Sequence, residues 1–272
     1  MPIIPLPSLT PEVADTEITP EAHQLARKWR QFRLQALRTA PEAFAATYEI
    51  ESQRPLSSTV ERLSTSKATH FVAANRTVPA EYDTYGVLEK IQAAIECEWQ
   101  GVIVLLGPMA EDGSTLITAK RDPFTKATAS DHAASIEAFA LQLLKGMQEA
   151  ESQQPGCFHF HLNAIFVLPS ARGQGVGLRL IRAALAEAEK LCSMARVKGC
   201  KVTILVDEEN LGAKKLYARA GFVAVGTEVY VQQARGLVKG EEGRRERVAV
   251  LMERVVVVEK VGGEREREVE GV

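Results

Sequence analysis

Leu162-Asn163-Ala164-Ile165-Phe166-Val167-Leu168-Pro169-Ser170-Ala171-Arg172-Gly173-Gln174-Gly175-Val176-Gly177 runs from an apolar, strand-like stretch through a proline into a glycine-rich turn. Leu178–Leu191 follows, with Leu178, Ile181, Leu185 and Ala188 at helical spacing. The turn therefore joins a strand to the start of a helix. Its alternating glycines strip side chains from one approach, so backbone N–H groups converge at the positive helix end, an arrangement suited to phosphate. Arg172 adds a cation that matches phosphate oxygens in two places at once. A dinucleotide-binding turn would need glycine where Leu178 stands, and a Walker loop would need Gly-Lys-Ser/Thr, which does not follow. A strand-to-helix turn without a ligand is the plain alternative.

Working outward, Phe158–Leu168 reads as the strand before the turn and Val202–Val206 as the strand after the helix. That separation suits a parallel pair with the helix as crossover. Asn210 reads as the cap of a helix through Ala220, with Gly221 ending it. Phe222–Tyr230 and Val248–Glu253 are two further strands, divided by the charged, glycine-containing segment 235–247. Upstream, Thr69–Ala74 and Gln100–Leu106 read as strands, 86–97 has helical periodicity, and 107–130 reads as loop before a helix over 131–150 capped by Ser130. Thr19 and Pro20 open a helix over 20–38 that carries Leu25, Trp29, Phe32, Ala36 and Leu37 on one face. Ala43–Ile50 reads as a shorter helix, 59–65 as another capped by Ser58, and Val13–Ile18 as a first strand. Residues 1–12, with four prolines, read as an extended arm, and the Glu/Arg/Gly-rich 259–272 as a solvated tail.

The segment from Leu162 to Gly177 resembles motif A of the GNAT superfamily of N-acetyltransferases, a strand and proline followed by Arg/Gln-x-x-Gly-x-Gly/Ala. Asn210-Leu211-Gly212-Ala213-Lys214-Lys215-Leu216-Tyr217-Ala218-Arg219-Ala220-Gly221-Phe222 resembles motif B, Asn-x-x-Ala-x-x-Leu-Tyr-x-x-x-Gly-Phe. Arg33–Leu37 followed by Pro41-Glu42-Ala43-Phe44 is similar to the family's first two helices. The close match covers about 158–230. It implies a mixed α/β fold, with a single mostly antiparallel sheet that contains one splayed parallel pair, flanking helices, and here an insertion over about 107–157 inside a domain spanning 13–258.

The resemblance further implies transfer of an acetyl group from acetyl-CoA to a primary amine by direct attack in a ternary complex, with no metal. Ile165, Phe166 and Val167 would pair with the pantetheine arm like an added strand, and the Val167 N–H or its neighbour would polarise the thioester carbonyl. Arg172, Gly173, Gln174, Gly175, Val176, Gly177 and Leu178 would cradle the pyrophosphate, and Asn210 would hydrogen-bond the cofactor arm. Tyr217 matches the family tyrosine that protonates the departing thiolate. It stands seven residues after Asn210, about two turns on, and so on the same helix face. His161 occupies the place where some relatives carry a glutamate base. A neutral imidazole suits that task, with water as the alternative, and His159, His161 and Asn163 share one strand face. Leu205 stands where other relatives carry a second glutamate, so that route is absent. A module of the same fold that holds acyl-CoA for regulation, without turnover, is the competing reading.

Composition bounds these readings. The 272 residues are 46% hydrophobic and 25% charged, which excludes a disordered, collagen-like or coiled-coil chain. A net charge of −2 offers no basic field for nucleic acid or an anionic membrane, and no apolar run is long enough to span one. Cys97, Cys157, Cys192 and Cys200 lack CxxC spacing and read as free thiols, although spacing alone allows a Cys192–Cys200 link. Met1–Pro7 is broken by prolines and lacks a basic start, so it does not read as a signal peptide. The cytoplasm, with the nucleus as an alternative, is the expected compartment, and a monomer or homodimer the expected assembly.

Overall fold

The computed structural model describes residues 1–9, 19–75, 82, 84–109, 157–232 and 245–258. The strand expected at Val13–Ile18, most of the 107–157 insertion with its helix at 131–150, and the tail 259–272 lie outside the described residues. Seven strands among the described residues form one open sheet in the order β1-β2-β3-β4-β5-β7-β6. They are β1 (Ile3–Pro5), β2 (Ala68–Ala74), β3 (Trp99–Met109), β4 (Phe158–Val167), β5 (Gly199–Asp207), β6 (Val223–Gln232) and β7 (Arg245–Val257). Every neighbouring pair is antiparallel except β4–β5, which runs parallel. This is the mixed sheet with one parallel pair that the sequence implied.

Helix α1 (Pro20–Thr39) is amphipathic and starts where expected, the Thr19 side chain accepting from the Ala22 N–H at 3.2 Å. Its apolar stripe, Leu25, Trp29, Phe32 and Ala36, packs with α3 (Leu56–Ser64) and α4 (Val87–Glu96) against one face of the sheet. On the opposite face Leu180, Ile181 and Ala184 of α5 (Val176–Met194) pack against Ile103, Leu105, Phe160 and Val202, and α6 (Leu211–Arg219) lies beside α5. Helix α5 is the crossover from β4 to β5. None of these described helices is long and apolar enough to cross a membrane.

Four local expectations change. Residues 3–5 do not stand off as an arm but pair with β2 as the sheet's edge, Ile4 opposite Val72, where a proline without an N–H is tolerated. The helix expected over Ala43–Ile50 is replaced by a 3₁₀ turn at Pro41–Ala43 and helix α2 (Tyr48–Gln53), because the Thr47 side chain accepts from the Ile50 N–H and sets the start there. Helix α3 begins after Pro55, ahead of the expected Ser58 cap. Strand β3 also runs on through Gly107 and Pro108, residues expected to open a loop. Cys97, Cys157, Cys192 and Cys200 are all free thiols.

An aromatic chain links α1 to the sheet. Trp29 lies edge-on to His70 at 4.8 Å and near Trp99 at 5.9 Å, and Phe32 meets both Trp99 and Phe166 at 5.9 Å. Trp29→Ala removes the first of these rings from a buried site, and we expect a loss of about 3–5 kcal/mol in urea unfolding. A loss below about 1 kcal/mol would show that α1 does not depend on this contact.

Candidate functional site

The site is built where β4 stops pairing with β5. The parallel register runs from Phe158 opposite Cys200 to Leu162 opposite Ile204, while β5 continues to Asp207 against β7. Beyond Leu162, then, β4 has an edge that β5 does not pair. A bulge lies at this point: the register to β3 jumps between Asn163 and Phe166, Ala164 has φ +52, and its N–H donates to Asn163 Oδ1 at 2.7 Å. Below the bulge Leu168 N–H donates to Gln100 O at 2.9 Å, directed at β3. By antiparallel alternation Phe166 also directs its backbone at β3, while Ile165 and Val167 direct theirs to the open edge. The Phe166 ring is buried against Phe32 and Phe44. Of the expected strand trio, two residues therefore present backbone groups at the opening and the third packs beneath it.

The glycine turn lies directly after this edge. Gly173 and Gly175 have φ +76 and +74, left-handed values that glycine adopts without strain. Helix α5 begins at Val176 with no side chain capping it, so its first N–H groups are unclaimed from within the helix. A Cβ on Gly177 would lie 2.9 Å from Leu216 Cδ2, so the bare glycine lets α6 press against the start of α5. Gln174 Nε2 donates to Ser170 O at 3.0 Å and pins the loop onto itself. Arg172 is tied back to the strand, its Nε donating to the Val167 carbonyl at 3.1 Å and its guanidinium lying 5.8 Å from the Phe166 ring.

Arg179 was not anticipated. Its Nη1 donates to Gln174 O at 3.2 Å, while its Nε is buried without a hydrogen-bond partner among the described residues. An orphaned donor beside an uncapped helix start is the kind of vacancy an anion satisfies. The sequence signal was an arginine two residues past the last glycine of the turn. The turn and the open strand edge thus fit a diphosphate followed by an extended, hydrogen-bonding arm.

Asn210 caps α6, its Oδ1 accepting from the Ala213 N–H at 3.0 Å. Asp207 holds the preceding turn by accepting from the Glu209 N–H at 2.9 Å, and is itself paired to Arg247 at 2.7 Å. Tyr217, on the same helix, is 3% exposed and packs near Phe222 at 6.3 Å, in the core cluster bordered by Ile165, Val167 and Leu178. Burial pushes its phenol above the ordinary value, so the hydroxyl keeps its proton at any physiological pH.

His161 lies on the face of β4 away from α5, its Nδ1 3.1 Å from Thr203 Oγ1. Burial, helped by the neighbouring His159, lowers its pKa to about 4. His159 Nε2 lies 2.9 Å from the same Thr203 hydroxyl, and its pKa is lowered by burial and by Lys201, with Glu253 opposing. His70, buried against Trp29 and repelled by Arg62, is lowered to about 3. Because the folded pKa values of His70 and His161 lie below the unfolded value of about 6.5, the unfolded chain takes up protons first on acidification. Their contribution is thus present above about pH 6.5 and lost as pH falls toward 3–4, at up to about 1.4 kcal/mol per pH unit for each. Urea unfolding should reveal a midpoint that falls from about pH 6.5 to about pH 4.5, with a shallower slope in His70→Gln. An equally steep slope in that variant would contradict the assignment.

Residues 140–224 match a family model described as an acetyltransferase (GNAT) domain. Comparison with curated protein sequences returns no match. Among solved structures, the chain is similar to Arabidopsis thaliana NAA60 in complex with acetyl-CoA, at 12% identity and TM-score 0.46, covering 94% of this chain and 99% of that one. It is also similar to the spermidine N-acetyltransferase from Vibrio cholerae in complex with CoA and spermine, at 13% identity and TM-score 0.43, covering 85% and 89%. A ribosomal-protein-alanine N-acetyltransferase from Brucella melitensis is similar at 17% identity and TM-score 0.43, covering 88% and 97%. The motif-bearing strand, the glycine turn and the two helices described above lie within the residues that match this GNAT acetyltransferase model.

Proposed function

We propose that this chain moves an acetyl group from acetyl-CoA to a primary amine, by direct attack in a ternary complex. The observation that carries this reading is the end of β4–β5 pairing at Leu162, directly above a glycine turn whose helix start is uncapped. The residues that would hold the cosubstrate are Gly173, Gln174, Gly175, Val176, Gly177 and Leu178 through backbone N–H groups, Arg172 and Arg179 through guanidinium donors, and Ile165 and Val167 along the strand edge. Asn210 has its Oδ1 committed to the helix cap, which leaves its amide nitrogen for the arm. When bound, acetyl-CoA supplies the activated acyl group. Val167 N–H or its neighbour polarises the carbonyl, Tyr217 delivers a proton to the leaving sulfur, and His161 takes the proton from the attacking amine.

Trp29, Phe32, Arg33, Phe44 and Phe166 line a small cavity that reaches Ala164 at the bulge. A thiol-release screen with acetyl-CoA against polyamines, aminoglycosides, amino acids and peptides with free N-termini or lysines tests the reading. Release with at least one acceptor is expected. Tight acetyl-CoA binding with no release from any acceptor would replace the transfer by the regulatory acyl-CoA-binding role.

A further inference from the structure

We propose that Arg247 positions the Pro41–Ala43 turn against the turn that precedes α6, so that acetyl-CoA held at Asn210 tightens the Phe44 wall of the cavity at the bulge. This rests on the reading proposed above, with Asn210 on the cosubstrate arm.

Arg247 stands on β7, and its side chain is 9% exposed. Three short contacts fix its guanidinium. Nε lies 2.7 Å from Asp207 Oδ2, Nη2 donates to Asp207 Oδ1 at 2.8 Å, and Nη2 also donates to Glu209 Oε2 at 2.7 Å. A planar fork that meets one carboxylate in two places has a defined orientation. Both carboxylates belong to the turn that delivers Asn210. Within that turn, Asp207 Oδ1 accepts from the Glu209 N–H at 2.9 Å, and the Asp207 carbonyl accepts from the Asn210 N–H at 3.0 Å. The Glu208 N–H donates to Val248 O at 2.9 Å, one residue from Arg247. Arg247 and Asn210 are thus held as one piece.

Nη1 reaches the other way, to the carbonyl of Glu42, 205 residues distant in the chain. At 3.5 Å this is the longest of the four contacts, at the far end of hydrogen-bond range, and it has room to shorten. Glu42 lies in the Pro41–Ala43 turn, whose start has no side-chain cap. The turn holds itself by Ala43 N–H to Ala40 O at 3.0 Å and Phe44 N–H to Pro41 O at 3.4 Å. Phe44 follows directly. Its ring is buried, lies 6.3 Å from Phe166 and lines the cavity that reaches Ala164. A shift of the turn therefore moves a ring that packs beneath the strand edge beside which the thioester would stand. The contacts run without a break from Asn210 through Asp207 and Arg247 to Glu42, and the weakest of them is the last. A cosubstrate that immobilises Asn210 leaves less to be ordered when that last contact closes, and by linkage the effect is reciprocal.

The test is amide hydrogen exchange of the full chain, read on a peptide spanning residues 40–47, with and without saturating acetyl-CoA. In the wild type, acetyl-CoA should slow exchange of the Ala43 and Phe44 amides by ~10-fold. Arg247→Lys keeps the charge but cannot grip Asp207 as a fork and reach Glu42 together, so it should bind acetyl-CoA within about twofold of the wild type yet slow these amides by less than about twofold. Arg247→Ala should match Arg247→Lys. A residue that only props the fold would quicken exchange alike with and without acetyl-CoA and leave the slowing intact. Slowing of wild-type size in Arg247→Lys, or no slowing in a wild type that binds acetyl-CoA, overturns the coupling alone. A calorimetric titration in which the wild type takes up no acetyl-CoA overturns the cosubstrate reading and the coupling together.

Discussion

Tyr217→Phe is expected to leave CoA affinity within about twofold and to lower kcat by ~10²–10³-fold in a steady-state thiol-release assay. The substitution keeps the ring that packs near Phe222 and removes only the hydroxyl, so unfolding stability should hardly move. The expectation rests on two features. The phenol is buried and so held protonated, which makes it a donor, and it shares a helix with Asn210 at the spacing that puts both on one side. A CoA thiolate leaving without a proton donor in a dry cleft would be a poor leaving group. An unchanged kcat in Tyr217→Phe would remove this tyrosine from the reaction and leave it as a packing residue.

The second large effect is expected at the turn. Gly175 holds φ +74, where a β-branched side chain is a genuine outlier, so Gly175→Val forces the turn into another conformation. The N–H groups then no longer converge, and CoA affinity in a calorimetric titration should fall by at least ~10–100-fold, equivalent to about 1.4 kcal/mol per tenfold. Gly177→Leu should act by a different route, since its side chain would have to displace Leu216 and separate α6 from α5. The two variants should therefore differ in stability: Gly177→Leu lowers the unfolding midpoint and Gly175→Val lowers it less. Undiminished CoA uptake by Gly175→Val would mean that the turn is not a phosphate cradle.

Much of this was legible because periodicity and punctuation are local. The stripe of α1, the cap at Thr19, the glycines at 173, 175 and 177 and the cap at Asn210 are each written within a few residues. The parallel pairing of β4 and β5 followed from a helix long enough to cross over. What escaped is set by tertiary partners. Ile3–Pro5 is a strand because β2 offers an edge, not because prolines favour one. The orientation of Phe166 depends on the bulge at Ala164, a backbone feature with no sequence signature. Arg179 gains meaning only when its Nε is found buried and unpartnered among the described residues. Helix α2 starts later than the expected Ala43–Ile50 because Pro41 opens only a single 3₁₀ turn and the Thr47 side chain caps the helix after it.

A crystal structure of the chain grown with acetyl-CoA tests the central claim most directly. The account predicts the diphosphate within hydrogen-bond distance of the backbone N–H groups between Gly173 and Leu178, with Arg179 Nε satisfied and the thioester beside Val167. Acetyl-CoA bound elsewhere, with that turn contacting only solvent, would contradict it.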